Sequence, residues 1–141
     1  MVDYQNEVND RNKAYYELTD SFFTNYWWND EKLKDDIKSA QPNKTIYVGN
    51  DIWGRGTFGG GEFFTFKGIN EIEKFNKPDQ PNLVPALFAP AYTYETGGQN
   101  NNAYFKANED RLYRGVIFEK FDIEKWDGLE GTHLKALSLN H

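Results

Sequence analysis

Short apolar runs alternate along this chain with stretches of helical spacing. Val8, Ala14, Tyr15 and Leu18 recur near helical spacing among charged residues, which predicts a helix over 8–18. Ser21 to Trp28 is short and dense in aromatic residues, which predicts a strand. Phe22-Phe23 breaks any polar alternation there, as expected of a strand covered on both faces. Asn29 is placed to cap a helix over 30–40, with Asp30 and Glu31 at the positive end of its dipole and Pro42 stopping it. β-Branched Thr45, Ile46, Val48 and Ile52 predict a second strand over 45–52, and Leu83 to Ala89, closed by Pro90, a third. Between them Ile69, Ile72 and Phe75 share one face of a short helix. Gly97 to Asn102 reads as loop, and Asn108 to Tyr113 as a helix with Asn108 at its cap.

Alternation of this kind argues for an α/β fold of parallel strands joined by crossover helices. A small open α/β sheet is the second choice. A complete eight-stranded barrel needs about 250 residues, and the chain has 141. That length suits one domain able to bury roughly two thirds of its unfolded surface. The tail from 123 onward, with Trp126, Leu134, Leu137 and Leu139, fits none of these elements.

Charge narrows the partners. The formal net charge is -6, and the most basic stretch, Lys32 to Lys44, is interrupted by Asp35 and Asp36. No positive stripe suited to a phosphate backbone is seen, so nucleic acid is not expected. No apolar run approaches the ~18 residues of a membrane span. The absence of cysteine removes disulfides, thiolate metal sites and cysteine nucleophiles. His133 and His141 lack a second metal ligand at a recognisable spacing, so neither metal nor cofactor is expected. The compartment stays open: secreted or cell-surface for a bacterial source, cytoplasmic as the alternative.

Ligands of parallel α/β folds sit beyond the carboxyl ends of the strands. Here those ends read Asn25-Tyr26-Trp27-Trp28, Asn50-Asp51-Ile52-Trp53-Gly54-Arg55 and Ala89-Pro90-Ala91-Tyr92-Thr93-Tyr94-Glu95. Each sets aromatic rings beside hydrogen-bonding groups, as a sugar requires: rings for the apolar face of a pyranose, polar groups for its hydroxyls. Trp28, Trp53, Tyr92 and Tyr94 are the stacking candidates; Asn25, Asp51, Arg55 and Glu95 are the polar ones. Each has a plainer reading. Tyr26, Trp27, Phe22 and Phe23 could fill core, Asp51 and Arg55 could pair only to fix their loop, and Glu95 could be an ordinary loop carboxylate. The glycine-rich stretch from Gly54 to Gly61, which carries Arg55 and Phe58, lacks the Gly-Lys-Ser/Thr end of a nucleotide loop and the spacing of a dinucleotide fingerprint. It suits close backbone approach to a bulky ligand, or turns needing positive φ.

Four blocks resemble the family 85 glycoside hydrolases, the endo-β-N-acetylglucosaminidases. They are Tyr4-Gln5-Asn6-Glu7-Val8-Asn9, the run from Phe22 to Trp28, the run from Tyr47 to Gly61, and Ala86 to Glu95. The third is long and unusual, and the blocks stand in the family's order. The resemblance implies part of a TIM barrel, its three strands similar to the sixth, seventh and eighth, with residues 1–122 belonging to that domain and 123–141 a separate tail. It implies an N-linked glycan or glycoprotein as partner, together with the upstream part of the barrel or, failing that, self-association. It further implies hydrolysis between the two core N-acetylglucosamine units by substrate-assisted, retaining catalysis, an exception to the two-carboxylate scheme. The family's Asn-x-Glu lies on its fourth strand, upstream of all four blocks. Asn6-Glu7 has the wrong spacing, so no catalytic acid is assigned. A sugar-binding or catalytically inactive fragment is the alternative.

Overall fold

A computed structural model describes residues 5–77, 83–114, 117–118 and 136–137. The chain runs through α1 (Lys13–Leu18), β1 (Ser21–Thr24), α2 (Asp30–Ser39), β2 (Thr45–Asp51), α3 (Thr65–Phe75), β3 (Leu83–Phe88), α4 (Tyr92–Glu95) and α5 (Asn101–Arg114). Single 3-10 turns occupy Phe58–Gly60, Glu62–Phe64 and Gly98–Asn100. The first three strands form one parallel sheet in the order β1-β2-β3, flanked by helices. Parallel strands cannot be joined by a tight hairpin, so a helix is carried in each crossover. The alternation read from the sequence is therefore the observed architecture, a parallel α/β sheet flanked by helices that is consistent with a partial (β/α) barrel.

Register fixes which side chains share a face. Ile46 pairs with Phe22 and Leu83, and these three point toward the helices. With Val48 they pack against Leu33 of α2, Ile72 of α3, Val8 and Tyr16, all buried. The alternate set, Phe23, Tyr47 and Phe88, lies on the other face and is 54%, 40% and 50% exposed. The expectation that β1 is covered on both faces is thus corrected. Only its Phe22 side is packed, because every helix in contact with the sheet core lies on that side.

Element ends differ from expectation where side chains intervene. β1 stops at Thr24, because the N–H of Asn25 turns aside to donate to the carbonyl of Gln5 at 2.6 Å. α1 starts only at Lys13: Asn9 and Asn12 hold the preceding turn, with Asn12 Oδ1 accepting from the N–H of Asn9 at 2.8 Å. α3 starts at Thr65, four residues earlier than the apolar spacing suggested, and Thr65 Oγ1 donates to the Glu62 carbonyl at 2.7 Å. α5 begins at Asn101, so Asn108 is not a cap. It sits mid-helix and donates back to the Tyr104 carbonyl at 2.9 Å, the i−4 pattern of a helical polar residue. Asn29 does cap α2, its Oδ1 accepting from the N–H of Lys32 at 3.1 Å. The boundary at 122/123, Trp126 and both histidines lie outside the described residues. Of the tail, Ala136–Leu137 (β5) pairs antiparallel with Ile117–Phe118 (β4).

Candidate functional site

The carboxyl edge of the sheet is built around Asp51, the last residue of β2. Its side chain is fully buried. It accepts from Arg55 Nε at 2.7 Å and Nη2 at 3.0 Å, and from the backbone N–H groups of Arg55 at 3.0 Å and Trp53 at 3.3 Å. This two-pronged fork is the strong geometry for a guanidinium and a carboxylate. Burial alone would raise the Asp51 pKa, but the hydrogen bonds from Arg55 and Trp53 outweigh it and hold the group below its ordinary value. The pairing read from the sequence as the plainer alternative is present. It also aims the exposed guanidinium across the sheet, 5.4 Å over the ring of Phe88.

Around that cation lies an open hollow of about 390 Å³ lined by Trp53, Arg55, Phe88, Ala89 and Glu95. The Trp53 and Tyr92 rings meet edge to face with centroids 5.1 Å apart, and Tyr92 in turn meets Phe63 in the same way at 5.9 Å. Tyr92 is buried, so it supports Trp53 from behind. Tyr94 is exposed and packs edge-on against Phe105 of α5 at 6.3 Å. Three nominated residues, Trp53, Arg55 and Glu95, therefore line one hollow, with Asp51 and Tyr92 directly behind them. Asn25 lies elsewhere, in a larger cavity of about 500 Å³ along β1 with Gln5, Tyr15, Phe22 and Phe23.

Trp28 and Phe58 are placed differently from the sequence-based expectation. Trp28 is 5% exposed. Its ring stacks on Phe58 at 4.9 Å with an interplanar angle of 10°, and its Nε1 donates to the Gly49 carbonyl at 2.7 Å. Each ring covers the other, and Trp28 belongs to the helix-side core. Its neighbour Trp27, read only as possible core, is 42% exposed. The Trp27 Nε1 donates to the Arg55 carbonyl at 2.8 Å. Gly56 keeps φ at +85°, and a Cβ there would lie 2.3 Å from the Trp27 Nε1. The glycine is thus required twice, for its left-handed backbone and for the indole seated on it. No local signal separates the two indoles: β1 ends at Thr24, so its two-residue alternation does not extend to Trp27 and Trp28. Phe88, also not anticipated, is the register partner of Asp51 at the end of β3.

Among the described residues no group of three or more His, Asp or Glu side chains is arranged to hold a metal, and no helix is long and apolar enough to cross a membrane. Parallel strands flanked by helices, with aromatic and charged side chains gathered at their carboxyl ends, define the class: a segment of a (β/α)-type sheet. Comparison with known proteins supplies the family. The model of "Glycosyl hydrolase family 85" matches residues 1–139, and the chain belongs to that family. It is similar to the "Cytosolic endo-beta-N-acetylglucosaminidase" of Danio rerio, 35% identical over 113 residues, covering 78% of this chain and 15% of that protein. The human protein of the same name is 33% identical over 114 residues, covering 80% and 14%. "Cytosolic endo-beta-N-acetylglucosaminidase 1" of Arabidopsis thaliana is 31% identical over 94 residues, covering 66% and 13%. The chain therefore spans about one seventh of the length of these relatives. No solved structure matches it significantly.

Proposed function

We propose that this chain supplies part of the glycan-binding groove of an endo-β-N-acetylglucosaminidase that hydrolyses the N,N'-diacetylchitobiose core of N-linked glycans by substrate-assisted, retaining catalysis. β1, β2 and β3 then stand as the sixth, seventh and eighth barrel strands, residues 1–122 belong to the barrel, and 123–141 form a tail. The observation that carries this reading is the hollow at the carboxyl edge, where Trp53 and Phe88 flank the Arg55 guanidinium with Glu95 at the rim. Flat rings suit the apolar face of a sugar, and the charged groups suit its hydroxyls. Trp27 joins this surface and Tyr94 extends it, while Asn25 contributes from the separate cavity along β1. Asp51 acts indirectly, by holding Arg55. The general acid comes from another part of the parent enzyme. In place of that part, the isolated chain pairs with copies of itself through the Phe23–Tyr47–Phe88 face. The second reading, a sugar-binding or inactive fragment, is favoured by the complete engagement of Asp51 in its fork, which leaves Glu95 as the carboxylate lining the hollow.

The test is to titrate the folded chain with a trimannosyl-chitobiose glycan by calorimetry and to incubate it with a high-mannose glycopeptide, reading products by mass. Saturable binding that weakens by about tenfold, or ~1.4 kcal/mol, in Trp53→Ala is expected, with no glycan released. No binding by a folded sample would remove the proposal. Release leaving one N-acetylglucosamine on the peptide would overturn the assignment of the acid elsewhere and turn attention to Glu95.

A further inference from the structure

The segment 5–9 runs as a strap between the carboxyl end of β1 and α2. Its attachments are specific. The Gln5 carbonyl accepts from the N–H of Asn25 at 2.6 Å. Asn6, fully buried, accepts through Oδ1 from the N–H of Trp27 at 3.2 Å. Glu7 pairs with Lys32 at 2.9 Å. The N–H of Val8 donates to Asp36 Oδ1 at 2.6 Å. Trp27 then continues the chain of contacts to the Arg55 carbonyl and so to the site loop.

We infer that Asp36 is a positioning residue for the Trp27–Arg55 rim, acting through this strap. Asp36 is a carboxyl group with no exposed surface, and its second oxygen, Oδ2, has no hydrogen-bond partner. A buried carboxylate so incompletely solvated is costly, and the cost falls when the group takes up a proton. The charged groups near it are Glu7 on the strap and Asp35 and Lys32 on α2, with Asp10 and Lys38 farther out along a surface groove also lined by Glu7 and Asp35. Burial is the largest influence on Asp36 and raises its pKa; the Val8 N–H opposes this, Glu7 and Asp35 add to it, and Lys32 opposes it. The result is a rise from the ordinary 3.8 to about 7.

The sign follows by linkage. A carboxyl whose folded pKa is raised contributes stability that is complete below its unfolded value and is lost as pH climbs through the folded value. The strap is therefore best seated while Asp36 is neutral. Above about pH 7 the ionised group draws water to its unpartnered Oδ2 while the Val8 N–H, which favours the anion, stays bound, so the strap shifts about that bond and the backbone hold of Asn6 on Trp27 shifts with it. The consequence for glycan capture rests on the function proposed above; the coupling itself does not.

The experiment follows the indole N–H resonance of Trp27 in the labelled full chain from about pH 5 to about pH 9, assigned with Trp27→Phe. It is expected to move with a midpoint of about 7, together with the side-chain carboxyl carbon of Asp36. In Asp36→Asn, whose amide mimics the neutral acid, it should stay at its low-pH position throughout. In Asn6→Ala, Asp36 should still titrate while Trp27 no longer follows. A flat Trp27 resonance in the unaltered chain, a titration that survives Asp36→Asn, or one that survives Asn6→Ala would overturn the inference. If Asp36→Asn does not fold, the unaltered chain still decides, because unequal midpoints at Asp36 and Trp27 refute the coupling. No glycan enters the measurement, so failure here and failure of the proposed function are read separately.

Discussion

The two faces of the sheet are equally apolar and differently treated. On one, Phe22, Ile46, Val48 and Leu83 are closed over by Leu33, Ile37 and Ile72. On the other, Phe23, Tyr47 and Phe88 are left about half in water. A soluble antiparallel sheet with one wet face makes that face polar, whereas parallel strands, normally covered on both sides, are apolar throughout. The open face is thus composed as an interior surface. The polar groups of this half of the molecule are concentrated instead at the carboxyl edge, where Asp51, Arg55 and Glu95 lie. A parallel sheet with one face composed as interior and its polar groups at the carboxyl rim has the arrangement of a barrel wall.

The largest expected effect breaks the comparison directly. Leu33→Ala, on the covered side, should lower stability by about 2–5 kcal/mol in urea denaturation, the usual cost of truncating a well-packed aliphatic residue. Tyr47→Ser, on the open side, should cost less, about 1–2 kcal/mol at concentrations where the chain is monomeric, because the ring is only partly buried within one chain. It should also reduce the self-association seen by sedimentation at higher concentration. Equal costs at the two positions in the monomer would mean that the two faces are equally covered within a single chain.

Much of this was readable from residues alone. The order of elements, the Asn29 cap and the ends of β2 and β3 to within a residue came from periodicity, capping chemistry and β-branching. The division of the two tryptophans did not. β1 ends at Thr24, so strand alternation does not reach Trp27 and Trp28, and the placing of Trp28 in the helix-side core is decided by packing with residues distant in sequence such as Ile72. The start of α5 was hidden for a similar reason. Gln99 to Asn102 has turn composition, and the helix there is held by Tyr104 and Phe105 meeting Phe63 and Tyr94. The fork of Asp51 and Arg55 was legible at its i,i+4 spacing. The placement of its guanidinium over Phe88, and the strap anchored on Asp36, depend on tertiary register that spacing does not encode.

Within the site loop the comparison can be sharpened using two glycines of similar backbone. Gly56 and Gly60 have φ of +85° and +90°, but a Cβ at Gly56 meets the Trp27 indole whereas one at Gly60 meets nothing within 4 Å. Gly60→Ala should therefore cost roughly 1–2 kcal/mol, the left-handed penalty alone. Gly56→Ala should cost more, and should also release the Trp27 Nε1 from Arg55, seen as a shift of its indole resonance that Gly60→Ala lacks. Equal costs without that shift would show that the Trp27 contact does not order the loop.

The smallest effect tests whether the covered side is one cooperative body. Asn29 caps α2 just after the two tryptophans, with Asp30 and Glu31 in the first turn. Asn29→Ala leaves the Lys32 N–H without its side-chain acceptor and should cost about 1 kcal/mol. Because α2 carries both Leu33, in the core, and Asp36, under the strap, the loss should appear as a uniform lowering of the single unfolding transition. If hydrogen exchange instead shows only the first turn of α2 opening, with Leu33 still protected, the cap is a local device. The rim at Trp27 would then owe its order to the strap and not to the start of the helix.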